Sequence, residues 1–291
     1  MLTNTQEAEL VKFSAQIKIE VLRMISTLGI GHLGGSLSVT DLLAVLYGKH
    51  MNVDPKNPTW EDRDWLVMSK GHAGPAVYAA LALKGFFAKD ELLTLNQPGT
   101  RLPSHCDRSK TKGIDMTTGS LGQGASTAAG IALAHKLDNK TNNVYVVFGD
   151  GECNEGQIWE MAMFASHFKL HNIIAFIDYN NMQLDGTNSE VMDIGDVSEK
   201  FRQFGWFAQD VDGHNIAQID AAITIAKNKN NEMPNIIALH TIKGHGWKAI
   251  ENKASNHSMT VSKSQFEDAK LEIITKIQQL LGGEFNESDY S

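Results

Sequence analysis

Two polar side chains stand where short apolar segments of the chain end. Asp150 follows residues 144–148 and is flanked by glycines, and Asn180 follows a second apolar segment that begins at Ile173. Carboxylate and amide oxygens are ligands that Mg²⁺ prefers, commonly together with the phosphates of a bound molecule. The glycines beside Asp150 allow the backbone to approach a phosphate closely, and the amino end of a following helix supplies amide donors. These residues therefore predict a site for a magnesium-bound diphosphate.

Histidines in glycine-rich segments are a second candidate for chemistry. His32 lies within residues 31–36 and His72 within residues 69–73. An imidazole titrates near neutral pH, so it can donate, accept and relay protons during a reaction. Both are therefore candidate catalytic residues. A structural or surface role is the default interpretation for His135, His167, His171, His214 and His245.

Hydrophobic periodicity predicts the elements that must position these residues. Apolar runs rich in β-branched residues predict buried parallel strands at residues 65–68, 144–148, 173–177 and 236–239. Helical periodicity predicts helices at residues 7–28, 39–49, 123–137, 157–168 and 216–228, with a glycine-rich elbow at residues 29–35. This alternation predicts an α/β fold: a doubly wound, mainly parallel sheet with helices on both faces and ligands at the carboxyl ends of the strands. Residues 1–291 are expected to form a single domain, with a C-terminal helix over residues 262–281 and a polar tail over residues 282–291.

Composition limits the classes of partner. The formal net charge of −8 argues against nucleic-acid binding, which needs clustered Lys and Arg. The sequence has no run approaching the roughly 20 apolar residues of a membrane span, and its amino terminus does not resemble a signal peptide. We therefore expect a soluble, unprocessed cytoplasmic protein with neither nucleic acid nor membrane as a partner. Cys106 and Cys153 are expected to be reduced thiols.

Five motifs follow one another along the chain: Gly31-His32-Leu33-Gly34-Gly35-Ser36, Ser69-Lys70-Gly71-His72-Ala73, Thr117-Thr118-Gly119-Ser120-Leu121-Gly122-Gln123-Gly124, residues 149–156 and residues 180–186. In this order they resemble the motifs of transketolases. A Gly-Asp-Gly sequence alone is common in turns. At the end of a strand, followed by an Asn pair about 30 residues later, it is the signature of thiamine-diphosphate enzymes. The resemblance covers nearly the whole chain and implies the fold of a diphosphate-binding (PP-type) domain of these enzymes.

This resemblance implies thiamine diphosphate as the cofactor and a set of ligands for it. The side-chain oxygens of Asp150 and Asn180 and the carbonyl of Met182 would hold Mg²⁺, or Ca²⁺ or Mn²⁺ in its place. His32 and His105 would face the hydroxyls of the substrate. The implied catalytic residues are His32, His72, His105 and His257, and the implied cofactor-binding residues are His72, Gly119, Ser120, Leu121, Asp150, Gly151, Glu152, Asn180, Met182 and His257.

Two positions depart from the family pattern. The later histidine, His257, usually stands between Trp and Gly, whereas this chain has Asn256 and Ser258 there. The loop around it is therefore expected to sit differently. Ser120 replaces the usual Pro, which removes a backbone restraint and predicts a looser loop.

The roles of three charged residues stay open. Glu155 and Glu160 match acidic residues near the subunit interface of the family, but acidic residues also suit the first turn of a helix. Lys243 matches a family loop and could equally be a solvated cation after the last strand.

The implied reaction moves a two-carbon ketol unit from a ketose, or ketose phosphate, to an aldose or aldose phosphate. Thiamine diphosphate would serve as the electron sink. In the family, the glutamate that activates its aminopyrimidine ring lies in a second domain, and the sequence here holds only the first. We therefore expect that glutamate, and the basic residues for a substrate phosphate, on a C-terminal transketolase subunit that carries the pyrimidine-binding domain. The expected assembly is an α2β2 heterotetramer.

Three other functions fit parts of the pattern. The alpha subunit of a 2-oxo-acid decarboxylase also divides the site between chains, but the histidine segments disfavour it. A deoxyxylulose-phosphate synthase normally has all its domains on one chain, and activity with pyruvate would indicate either of these enzymes. A non-catalytic scaffold that binds Mg-diphosphate is the third alternative. The sequence leaves the donor and acceptor sugars open.

Overall fold

The computed structural model describes residues 2–228, 232–283, 285 and 290. No helix in this part of the chain is long and apolar enough to cross a membrane. The strands are β1 Ile30–Gly31, β2 Trp65–Met68, β3 Val144–Gly149, β4 Ile173–Tyr179, β5 Phe207–Asp212, β6 Asn235–His240 and β7 Met259–Thr260. The helices are α1 Asn4–Leu28, α2 Gly34–Leu37, α3 Thr40–Val45, α4 Gly74–Leu83, α5 Gln123–Leu137, α6 Gly156–His167, α7 Asn188–Val191, α8 Val197–Gln203, α9 Ile216–Asn228 and α10 Lys263–Leu280.

One parallel sheet has the strand order β2-β3-β4-β6-β5. Because all its strands run the same way, their carboxyl ends meet at one edge of the sheet. A separate ladder pairs β1 with β7, with Ile30 opposite Thr260 and Gly31 opposite Met259. The ladder brings the segment after His257 beside the segment before His32, although the two lie at opposite ends of the sequence.

Helices cover both faces of the sheet because successive strand residues point into two different apolar layers. One layer packs Tyr145, Val147 and Phe176 against α1, α3, α4, α9 and α10. The other packs Val146 and Phe148 against α5, α6 and α8. The predicted doubly wound α/β fold is confirmed.

The sequence missed one strand of the parallel sheet and merged two elements. β5 was not predicted because it lies at the edge of the sheet and its residues are only half-buried, so they form no continuous apolar run. Residues 39–49 were expected to form one helix. Instead α3 ends at Val45 and a wide π-helical turn, Leu46–His50, follows it.

The C-terminal tail is more closely packed than expected. Phe285 is fully buried, and its carbonyl accepts a hydrogen bond of 2.9 Å from Gln278 Nε2. The ring of Tyr290 lies 5.5 Å from that of Phe285. This part of the tail therefore belongs to the apolar layer of α1 and α10, and most of the remaining tail lies outside the described residues.

Candidate functional site

A cavity of about 300 Å³ opens at the carboxyl ends of β2, β3 and β4. Every site residue predicted from the sequence lines it except Ser120, which is exposed on the segment beside it. Lys70 and Lys243 also line the cavity, together with Gln183 and Leu184. Larger grooves elsewhere, such as one of about 470 Å³ beside α10, contain none of the predicted site residues.

Asp150 directly follows β3 and accepts a dense set of hydrogen bonds. Its Oδ1 accepts from the amide of Gly151 at 2.8 Å, and its Oδ2 accepts from the amide of Asn181 at 2.5 Å and from Asn188 Nδ2 at 3.0 Å. Burial, and then the nearby charge of Asp178, raise the pKa of Asp150 to about 6. The negative potential that disfavours its ionisation would favour a cation beside it.

Asn180 is oriented from both ends of its amide. Its Nδ2 donates to Asp178 Oδ2 at 2.9 Å, so Oδ1 is the end left for other donors and for ligands. That oxygen accepts from the amide of Met182 at 3.1 Å. Asp150 and Asn180 therefore present oxygen atoms from neighbouring strands to one cavity, which suits Mg²⁺.

Asp178 organises this end of the cavity, and sequence reasoning missed it. The side chain is fully buried and forms an ion pair with Lys70. It also accepts hydrogen bonds from Ser38 Oγ at 2.7 Å and from Thr241 Oγ1 at 2.5 Å. Burial alone would raise the pKa of Asp178, but the Lys70 charge and these hydrogen bonds outweigh it and lower that pKa. A single carboxylate inside the apolar segment of β4 was the signal available in the sequence.

Two buried lysines give the cavity its positive charge. Lys70 and Lys243 are each at most 3% exposed. Lys243 Nζ donates to the carbonyl of Gln183 at 2.9 Å, and burial together with the charge of Lys70 lowers its pKa to about 8. Because Lys243 is buried, its interpretation as a solvated cation is wrong. A bound anion would stabilise both ammonium groups.

Four histidines meet at the cavity. The ring centroid of His32 lies 5.6 Å from that of His72, 5.3 Å from that of His105 and 5.5 Å from that of His257. The rings of His72 and His257 are 5.0 Å apart. They come from four separate segments of the chain, so the fold assembles a cluster that no local sequence pattern contains.

The surroundings of these histidines favour the neutral form of each ring. Burial, followed by the charge of Lys70, lowers the pKa of His72 well below its ordinary value. Burial and the charge of Lys243 lower the pKa of His257 to about 4. The pKa values of His32 and His105 are also lowered, chiefly by burial. Each neutral ring has one donor and one acceptor nitrogen, which suits contact with sugar hydroxyls.

Glu152 holds two backbone segments together at the cavity wall. Its Oε1 accepts from Ser69 Oγ at 2.5 Å and from the amide of Gly122 at 2.8 Å, while Oε2 accepts from the amide of Gly149 at 3.1 Å. Both oxygens are therefore already engaged by the chain. The carboxylate fixes residues 119–122 against the ends of β2 and β3.

The site fits a diphosphate sterically as well as electrostatically. A Cβ built on Gly35 would lie 3.2 Å from His72 Nε2 and 3.3 Å from Lys70 Nζ, so a side chain there would crowd both nitrogen atoms. Together with the oxygens of Asp150 and Asn180, the cavity offers cationic donors for phosphate and hard oxygen ligands for a metal.

A second cluster of polar side chains lies away from the cavity. Asp41 accepts from His214 Nδ1 at 2.8 Å and from Lys18 Nζ at 2.7 Å, and the ring of His245 stacks on that of His214 at 3.5 Å. His214 Nε2 accepts from the amide of Ile242 at 2.8 Å, so both of its nitrogens are engaged. Because the Lys18 ammonium also binds Asp41, the arrangement is a structural network.

Glu155 and Glu160, the two acidic residues whose roles the sequence left open, are exposed and lie outside the cavity.

Comparison with known proteins gives consistent matches. Residues 11–277 match the family model described as transketolase, thiamine diphosphate binding domain. The chain is 50% identical over 268 residues to the 6-deoxy-6-sulfo-D-fructose transketolase subunit SqwG of Clostridium sp. (strain MSTE9), covering 92% of this chain and 97% of that protein. It is 36% identical to one subunit of the apulose-4-phosphate transketolase of Phocaeicola vulgatus, covering 86% of this chain and 88% of that protein.

Larger enzymes match over part of their length. Human transketolase is 36% identical over 280 residues, which cover 94% of this chain and 43% of that protein. The solved structure of transketolase from Leishmania mexicana matches with a TM-score of 0.85 at 27% identity, over 92% of this chain and 41% of that one.

The fold and the family match define a thiamine-diphosphate-binding domain. The chain belongs to the transketolase family. It spans nearly the full length of relatives that are transketolase subunits and less than half of human transketolase, so it is an N-terminal subunit of the two-chain kind.

Proposed function

We propose that this subunit binds thiamine diphosphate through a metal ion held by Asp150, Asn180 and the carbonyl of Met182. The metal is Mg²⁺, with Ca²⁺ or Mn²⁺ as substitutes. Lys70 and Lys243, with the amide of Gly151, hold the diphosphate. The observation that supports this most strongly is the convergence of two oxygen side chains and two buried ammonium groups in one cavity.

The histidines then act on the substrate. When bound, thiamine diphosphate supplies the nucleophilic carbon and the electron sink for breaking a carbon–carbon bond beside a ketone. His32 and His105 hold the hydroxyls of the ketose and accept or return a proton as that bond breaks and forms. The charge of Lys70 acts on both His72 and His257, so these two rings would contact the diphosphate or the adjoining part of the substrate. Gly119 and Leu121 line the cavity and would contact the rings of the cofactor, and Glu152 holds their segment through the amide of Gly122.

The substrates are anionic sugars. The names of two relatives specify a sulfonated and a phosphorylated sugar. We propose that this subunit moves a ketol unit from an anionic ketose to an aldose phosphate in a cytoplasmic α2β2 assembly. The partner supplies the pyrimidine-binding domain and the groups that recognise the substrate's anionic end. A catalytic role is favoured over a scaffold because the four histidines are brought together beside the diphosphate site.

Substitution of Asp150 tests the cofactor site. Asp150→Asn keeps the shape of the side chain and removes its charge, so the affinity of the two-chain complex for Mg-thiamine diphosphate should fall by more than about 100-fold, beyond the loss typical of groups around a metal ligand. Calorimetry measures this change.

Asp115→Asn is the matched control. Asp115 is also buried and bonded to Arg63 and the amide of Leu66, but it does not line the cavity. It should lower the unfolding temperature and leave cofactor affinity unchanged. Wild-type affinity in Asp150→Asn, or an equal loss in both variants, refutes the assignment.

A further inference from the structure

Behind the histidine cluster, one buried amide joins two segments that line the cavity. Asn256 is completely buried. Its Nδ2 donates to the carbonyl of Lys243 at 3.0 Å and to the carbonyl of Ile250 at 2.8 Å. Because His257 follows Asn256 directly, this side chain connects the backbone of one cavity-lining residue to that of another.

The same side chain touches a third segment, the one that carries His32. A Cβ built on Gly34 would lie only 2.0 Å from Asn256 Oδ1, so the amide packs directly on the Gly34 backbone. The carbonyl of Gly34 also accepts a hydrogen bond of 3.0 Å from the amide of Gly244. Around Asn256, the segments of His32, Lys243 and His257 therefore form one packed unit.

We propose that Asn256 is a positioning residue that fixes the separation of the His32, Lys243 and His257 segments and thereby shapes the diphosphate site. The inference rests on the proposed function, because it takes Lys243 and His257 to face the cofactor or the substrate.

The hydrogen-bond inventory explains why an amide is needed. Both donors of Nδ2 are used, each by a different backbone carbonyl. Loss of the donor leaves two carbonyls without this partner, and buried polar groups that lose a partner are costly. The segments must then separate to admit water. The Trp usual in the family offers a single N–H, so the link between two carbonyls is a feature of the Asn in this chain.

The decisive variant is Asn256→Asp, because it keeps the shape and size of the side chain. It replaces the donor by an oxygen that repels the carbonyls of Lys243 and Ile250, so it should harm the site at least as much as Asn256→Ala. In the two-chain complex, both variants should weaken binding of Mg-thiamine diphosphate by about 10- to 100-fold, the range found when groups supporting a ligand are removed.

Asn172 provides a matched control just before the start of β4, at the end of the sheet away from the cavity. It is also buried, its Nδ2 donates to the carbonyl of Ala132 at 3.0 Å, and its Oδ1, like that of Asn256, lacks a hydrogen-bond partner. Asn172→Asp and Asn172→Ala should lower the unfolding temperature without weakening cofactor binding. Hydrogen exchange on the isolated subunit gives a readout that needs no cofactor: amides at residues 243–257 should exchange faster in the Asn256 variants and normally in the Asn172 variants.

The outcomes separate the two proposals. If the wild-type complex binds the cofactor and Asn256→Asp binds it equally well, the positioning role is wrong and the proposed function stands. An equal loss of affinity in Asn172→Asp also overturns the positioning role. If the wild-type complex does not bind Mg-thiamine diphosphate, the proposed function fails, and the inference fails with it.

Discussion

At the scale of single residues, the candidate site depends on a carboxylate that is not itself one of the proposed ligands. Asp178 pairs with Lys70, orients the amide of Asn180 and contributes to the raised pKa of Asp150. One buried charge therefore acts on both proposed metal ligands and on one proposed phosphate ligand. Such a residue is hard to recognise in a sequence because its partners come from four different segments.

The histidine cluster leads to a prediction at this scale. His32→Ala should lower the turnover of the complex by roughly 10²- to 10⁴-fold, as expected for a positioned proton-transfer group, and His72→Ala should act similarly. The half-buried rings face a cavity, so the unfolding temperature should change little. Steady-state kinetics and thermal unfolding measure the two effects.

His135→Ala is the control for these variants. His135 is buried, and burial lowers its pKa as it does for the cavity histidines, but its ring packs against Trp65 away from the cavity. Its loss should lower stability and leave turnover near wild type. A His32 variant with normal turnover would return that segment to a structural role.

Some residues of the site can be predicted from the sequence, and others cannot. His32, His72 and Asp150 lie in local motifs with glycines, and such motifs are visible in one sequence. The ring of His257 joins the cluster through the pairing of β1 with β7, a contact that no local pattern contains. The burial of Lys243 depends on the Gln183 segment and Asn256, so the sequence alone could not decide between a site residue and a solvated cation.

At the scale of elements, glycines set how closely the loops at the strand ends approach one another. A Cβ built on Gly71 would lie 2.8 Å from the amide of Gly119 and 2.8 Å from Thr118 Oγ1. Gly71→Ala must therefore push the loop after β2 away from residues 118–121. We expect a destabilisation of about 1–3 kcal/mol, typical of overpacking, together with weaker cofactor binding because Gly119 lines the cavity. Denaturant unfolding and calorimetry test both parts.

Gly130 supplies the contrasting substitution. It is an exposed residue inside α5, and a Cβ there would meet no atom within 4 Å. Gly130→Ala should raise the free energy of unfolding by about 0.5–1 kcal/mol, because alanine loses less conformational freedom in a helix than glycine does. Two variants that behave alike would show that the close approach of Gly71 to Gly119 has no consequence.

The prediction of elements succeeded where burial is complete. β3 and β4 are buried on both faces and appear as continuous apolar runs. β5 has one neighbour and half-exposed residues, so its strand character comes from pairing with β6 and is invisible in its sequence. The break after α3 is likewise a tertiary effect, because the apolar residues on either side of Val45 fit a longer helix.

At the scale of the whole molecule, the rim of the cavity exposes apolar side chains. Leu121 is 38% exposed and Leu184 is 59% exposed, and both line the cavity. Val191 and Met192, on the segment after Leu184, are 46% and 61% exposed. Apolar side chains gathered at the mouth of a ligand site are typical of a surface that a partner covers. These side chains support the proposal that a partner subunit covers the cofactor site.

The carboxylates at the cavity indicate what that partner must supply. Among the described residues that line it, the acidic ones are Asp150 and Glu152. Both carboxylates already accept several hydrogen bonds from the chain. They also lie near Lys70 and Lys243, in the part of the cavity proposed to hold the diphosphate. The carboxylate that the family uses to activate the aminopyrimidine ring therefore has no counterpart among them.

The last prediction follows from that difference. The purified subunit, with thiamine diphosphate, Mg²⁺ and sugar phosphates, should be inert, because ring activation without a carboxylate is too slow for turnover. Adding a separate chain of about 300 residues, the size of two typical domains, that bears the pyrimidine-binding domain should restore ketol transfer. A coupled assay of the aldose and ketose products measures it. The Asp150→Asn variant controls for contamination, since activity that persists in that variant comes from another enzyme. Robust transfer by the isolated wild-type chain, absent in Asp150→Asn, would refute the two-chain requirement, and failure with every candidate partner would favour a scaffold.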